Sequence, residues 1–320
     1  MQASSQRTTG QVRLTLMLIL GVASVAACVL AFMWWKAPTA SAQEEPTRDP
    51  SFVVRCDFIG LPSGRKLDDP IVSPGVDSFH MHDFFGNTTT NRNSTLESLR
   101  AGGTTCLNPG DKSAYWMPTA TWTDSKGTRT LNANRGLFYY RAGGKADDTV
   151  ELYPDGLKVV TVQGSHATWK CEGSTAVFSS PPSRCSSGKL VVRIVFPDCL
   201  AVDSSGKPLT DTDPNDPNAI PHRSHMAYAE TQGDGTMQCP STHPMPVPAL
   251  TMNVRFPIPT TSGTLTLSSD HQGDPPGSTI HADFFNVWDR VALTRLIDRC
   301  IKAAPFTASN PKPSECKLIN

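Results

Sequence analysis

The segment His80-Met81-His82-Asp83-Phe84-Phe85-Gly86-Asn87 sets two histidines two residues apart, with an acid beside them. On a β-strand alternate side chains share a face, so His80, His82 and Phe84 point one way and Asp83 the other. Two imidazoles on one strand face can bind a metal, shuttle protons or hold an anionic ligand. Two hundred residues later, His281-Ala282-Asp283-Phe284-Phe285-Asn286 nearly repeats the pattern and places His281 and Asp283 on a common face. A second pair, His222-Arg223-Ser224-His225, precedes a short strand, and His243 lies in Cys239-Pro240-Ser241-Thr242-His243-Pro244.

Three kinds of function fit these residues. In the first, His80, His82, Asp83, His225, His281 and Asp283 line one cleft that acts on or binds polysaccharide. Glycoside hydrolysis needs two carboxyl groups flanking the sugar, and Asp83 with Asp283 is the pair to test. A histidine beside a carboxylate can instead serve as the base of a lyase or esterase. Trp116, Tyr139, Tyr140 and Trp288, with Trp122, offer rings for sugar faces, although aromatics in a β domain commonly build core. In the second, His80 and His82 join His225, His281 or His243 around copper or zinc, without turnover. In the third, the histidines are structural and the protein is a surface interaction module. Convergence of the histidines separates the first two from the third.

Other chemistries lack their motifs. No Gly-x-Ser-x-Gly, P-loop or dinucleotide fingerprint occurs. Asp211-Thr212-Asp213-Pro214-Asn215-Asp216 opens like a calcium loop, but Asp216 stands where that loop needs glycine and His222 where it needs glutamate. Residues 1–42 carry three basic residues and no acid, leaving 26 basic against 29 acidic residues and a net charge of −3 in the remainder. Such a body has no electrostatic reason to bind nucleic acid.

The elements that must position these residues begin after an export segment. Residues 14–35 form an uncharged apolar run, behind Arg7 and Arg13, long enough to span a bilayer. Ala40-Ser41-Ala42 offers a cleavage site, so residues 1–42 are either a signal peptide or an N-terminal membrane anchor. Val25-Ala26-Ala27-Cys28 spells a lipoprotein box, but the apolar run continues past it. Both fates put the body outside the cytoplasm, secreted or anchored. A polar linker, residues 43–50, leads to one domain over 51–320.

Eight cysteines remain in that body, an even number that reads as four disulfides. Pairing neighbours gives Cys56–Cys106, Cys171–Cys185, Cys199–Cys239 and Cys300–Cys316. No Cys-x-x-Cys or zinc-ribbon spacing occurs. Strand-like runs recur at 51–58, 119–122, 137–141, 157–162, 190–196, 250–256 and 264–267, separated by turn residues. A short helix is expected near 95–101, begun by a capping box at Ser94 to Glu97 and stopped by Gly102-Gly103. A longer one, capped by Asp289, is expected near 290–303. The fold expected is mainly β: a disulfide-stapled sandwich or jelly-roll-like core with long loops.

The order of several blocks carries a resemblance. Asp69-Pro70-Ile71-Val72-Ser73-Pro74-Gly75, His80-x-His82 and Tyr115-Trp116-Met117-Pro118-Thr119 come first. Phe196-Pro197-Asp198-Cys199, Ser224-His225-Met226-Ala227-Tyr228, Cys239 to Pro244 and His281 to Asp289 follow. Together, over roughly residues 56–300, they resemble the exported family known as domain of unknown function 1996, found in actinobacteria and filamentous fungi. The resemblance implies secretion and a polysaccharide context, and it brings no catalytic assignment. Ala282 stands where family members often place glycine, and Leu200 where tryptophan often follows the cysteine.

Overall fold

A computed structural model describes residues 50–212, 219–307 and 309–317. The apolar run at 14–35, the cleavage site and residues 43–49 of the linker lie outside the described residues. Among the described residues, no helix is long and apolar enough to cross a membrane.

Two five-stranded antiparallel sheets pack face to face. The first runs Ser51–Asp57, Arg135–Arg141, Ala249–Pro257, Lys189–Val195 and Ala167–Cys171 in spatial order. In Ser51–Asp57 and Arg135–Arg141 every second residue is buried, the alternation of a sheet with one face in the core. The second sheet runs Arg65–Lys66, His82–Gly86, Ala114–Pro118, Asp283–Phe285 and Lys158–Val160. Its three central strands are buried at every position. That pattern requires cover on both faces.

The inner face of the second sheet carries Phe85, Tyr115, Met117, Val159 and Phe284, which meet Phe52, Phe138, Leu250 and Met252 of the first sheet in the main core. Tyr115 and Phe138 hold their ring centroids 3.8 Å apart across that interface. The outer face carries Phe84, Trp116, Val160 and Phe285, which form a smaller core with Ile71 and Leu99. Leu99 comes from the helix Leu96–Ala101, capped by Thr95 with Ser98 at the third position, one residue later than the expected box. Asp289 caps Arg290–Ile297 by accepting from Ala292 N at 2.8 Å, and a π-helical turn, Asp298–Lys302, extends it.

All four disulfides join neighbouring cysteines: Cys56–Cys106, Cys171–Cys185, Cys199–Cys239 and Cys300–Cys316. They mark an oxidising, extracytoplasmic environment.

Candidate functional site

The outer face of the second sheet builds the site. His82 lies opposite Pro118, and Asp283 opposite Trp116, on the two strands that flank Ala114–Pro118. Residues 116 and 118 share a face, so His82 and Asp283 do too. His80 and His281 enter from the segments just ahead of these two strands. The loop after Lys66 contributes Asp69.

These side chains converge. His80, His82 and His281 each offer a ring nitrogen, and the three atoms lie within 4.8 Å of one another. Asp69, His82 and Asp283 form a second such group, sharing His82. The ring centroids of His80 and His82 are 4.4 Å apart, and His80 Nε2 stands 3.3 Å from His281 Nε2.

Hydrogen bonding fixes which nitrogens face inward. His82 Nδ1 lies 3.1 Å from the Asp68 carbonyl, and His281 Nδ1 lies 2.8 Å from the Thr279 carbonyl. A carbonyl only accepts, so each Nδ1 carries a proton and each Nε2 presents a lone pair to the cluster. Burial, reinforced by neighbouring His80 and His281, holds His82 well below the ordinary imidazole range. Burial also pushes His281 down to about 4, with His80 and Arg223 adding to the effect. Both rings are therefore neutral at neutral pH.

The carboxylates complete the set. Asp69 Oδ1 accepts from Ile71 N and Val72 N, yet burial raises its pKa. Asp283 is 1 % exposed, and neither of its oxygens has a hydrogen-bond partner. Burial first, and then Asp69, push its pKa well up. His82 Nε2 is likewise buried and unpartnered. Leaving such groups unpaired costs several kcal/mol, so this arrangement favours a cation among them.

Other expected residues stand elsewhere. Asp83 points to the opposite face of the sheet from Asp283, where Arg65 grips it through two nitrogens at 2.6 and 2.9 Å and Thr119 donates to it at 2.8 Å. The Asp83–Asp283 pair therefore cannot flank one sugar. Trp116 is buried beneath the histidines and stacks on Phe84. Tyr140 and Trp288 are core residues, with Trp288 Nε1 donating to Tyr140 Oη at 3.0 Å. Trp122 is also fully buried. Tyr139 lies on the outer face of the first sheet, across the sandwich from the histidines, with the Arg141 guanidinium over its ring. None of these rings is a platform beside the histidines.

His225 and His243 do not join the converging groups. His225 Nε2 bonds the Lys158 carbonyl at 2.6 Å, and its buried Nδ1 has no partner. His243 Nε2 bonds the Ser224 carbonyl at 3.0 Å. Asp69 is the functional candidate that spacing alone did not indicate, although it begins the Asp69-to-Gly75 block. Its carboxylate caps the turn that follows, which gives a structural reason for an acid there. Arg223 was visible only as a residue between two histidines.

A larger surface cavity, about 990 Å³, lies away from this cluster between Gly144–Ala146 and Thr236–Pro246. Its buried Lys145 is paired with Asp198.

The model of the domain of unknown function DUF1996 matches residues 69–288, and the chain belongs to that family. No curated protein and no solved structure matches the chain.

Proposed function

We propose that this is an extracytoplasmic metal-binding protein whose centre is built by His80, His82 and His281, with Asp283 and Asp69 as carboxylate ligands. One observation carries the reading: three neutral imidazole nitrogens converge beside a buried carboxylate that has no other partner. The spacing fits. Two nitrogens bound at 2.0–2.1 Å to a tetrahedral zinc stand about 3.3–3.4 Å apart, matching His80 and His281. Imidazole with carboxylate suits zinc or copper. The carbonyls of Asp68 and Thr279 orient the rings as outer partners of metal-bound histidines do.

A dication held here would supply a Lewis acid and neutralise Asp69 and Asp283. His80 is the half-buried member, so exchange with solvent takes place on its side, beside the fully exposed Phe79. The test is metal analysis of the full chain purified from an oxidising compartment, beside the double variant His82→Ala/His281→Ala. One equivalent of zinc or copper in the parent, absent from a folded variant, is expected. A parent that takes up no metal after reloading overturns the reading.

A further inference from the structure

The strand Thr264–Leu267 runs into a turn-rich segment, residues 268–279, that ends just before His281. Its first three residues, Ser268-Ser269-Asp270, reach both histidine segments. Ser268 N donates to the Thr119 carbonyl at 2.8 Å, and Ser268 Oγ donates to the carbonyl of Met81, the residue between His80 and His82. Thr119 N donates to the same Met81 carbonyl at 2.9 Å.

The next two residues hold Thr279. Asp270 Oδ1 accepts from Thr279 Oγ1 at 2.6 Å and from Thr279 N at 3.3 Å. The Thr279 hydroxyl gives its one proton to this carboxylate, so Ser269 Oγ, 2.6 Å from Thr279 Oγ1, is the donor in their bond. Ser269 and Thr279 are both buried. Asp270 Oδ2 accepts from Leu267 N at 2.9 Å and Gly277 N at 2.8 Å, which closes the turn on itself. Thr279, so fixed, presents its carbonyl to His281 Nδ1 at 2.8 Å.

Pairing with Ala114–Pro118 sets His82 and Asp283 relative to each other, but His80 and His281 precede those strands. The Ser268–Asp270 run joins the two segments there. On these grounds, and resting on the metal-centre reading, we infer that Asp270 is a positioning residue of the centre. It touches no ligand. Through Thr279 it aims His281, and through the turn it closes it holds His281 at the spacing from His80 that a shared ion requires.

The test is zinc affinity of the full chain, by competition with a chromophoric chelator, with the electron paramagnetic resonance spectrum of the copper-loaded protein. Losing an outer partner of a metal-bound histidine costs about 10–100-fold in affinity. Asp270 acts one bond further out, so Asp270→Asn is expected to weaken zinc binding about tenfold and to change the copper spectrum. Thr279→Val keeps the carbonyl that meets His281 and loses only the hydroxyl; it should weaken binding likewise, and Thr279→Ser should restore the parent values. Asp274→Asn is the control within the same turn, because its carboxylate accepts from His271 N at 2.8 Å rather than from Thr279. It should leave affinity and spectrum unchanged. Parent-like behaviour of Thr279→Val, or an equal loss in Asp274→Asn, overturns the assignment, and the Thr279 pair decides it if Asp270→Asn does not fold. A parent that binds neither ion overturns the centre and the assignment with it, whereas a binding parent beside unaffected variants overturns the assignment alone.

Discussion

Asp83 and Asp283 both pair with the strand Ala114–Pro118, opposite Met117 and Trp116 respectively, and so leave opposite faces of one sheet. They also meet opposite fates, one clasped by Arg65 and Thr119 and the other without any donor. Asp83→Asn is therefore expected to lower stability by about 3 kcal/mol, the cost of breaking a buried ion pair, while leaving metal stoichiometry at one. Asp283→Asn is expected to do the reverse, keeping the fold and losing the metal. Urea unfolding and metal analysis on both variants decide the matter, and matched behaviour of the two would sink the assignment.

Metal should stabilise the parent and not the variant His82→Ala/His281→Ala. At zinc one hundred times above its dissociation constant the gain is about 2.7 kcal/mol. For a domain of this size that raises Tm by roughly 5–10 °C. Calorimetric scans with zinc and with a chelator check it, and an equal shift in the variant would point to binding elsewhere.

Asp111 supplies a pH dependence away from the site. It is fully buried, accepts from Tyr115 Oη at 2.7 Å, and burial raises it to about 7. Between its unfolded value of 3.8 and about 7, the folded chain keeps a proton that the unfolded chain has lost. Stability from this group is thus fully present below pH 4 and falls as pH rises to 7, by at most about 1.4 kcal/mol per unit. Asp111→Asn should flatten that slope. The difference between parent and variant isolates it, because the buried histidines contribute equally to both. Parallel stability curves for the two proteins over pH 4–7 would refute it.

Replacing Cys56 and Cys106 by serine opens a 50-residue loop, and replacing Cys171 and Cys185 a 14-residue one. Chain entropy then predicts losses of about 4 and about 3 kcal/mol. The first loss should be the larger also because Cys56 is fully buried in the core, whereas Cys171 is only partly buried against it. Guanidinium denaturation of each double variant measures both.

Period-two alternation made half of this site legible. It put His80 with His82, and His281 with Asp283, before any strand was seen. It also separated Asp83 from His82, so the acid pair already stood against the geometry it assumed. The aromatics misled for a physical reason. A sheet covered on both faces buries Trp116 and Tyr115 alike, and no alternation distinguishes core from platform there. Asp69 comes from a turn, whose side chains follow no period; only the folded chain places it beside His82 and Asp283. The disulfides follow sequence order, each joining cysteines that are neighbours along the chain.

The strand Asp283–Phe285 enters between Ala114–Pro118 and Lys158–Val160, and it brings His281 to a partner 201 residues earlier. Contacts of such separation form late, after the loops they close have been ordered. An incomplete or clipped chain that lacks residues 281–283 keeps His80, His82 and Asp69 but loses the third imidazole and the buried Asp283. On the proposed metal centre, possession of the ion would certify that the chain is whole, so loading would follow folding and a degraded molecule would give up its ion.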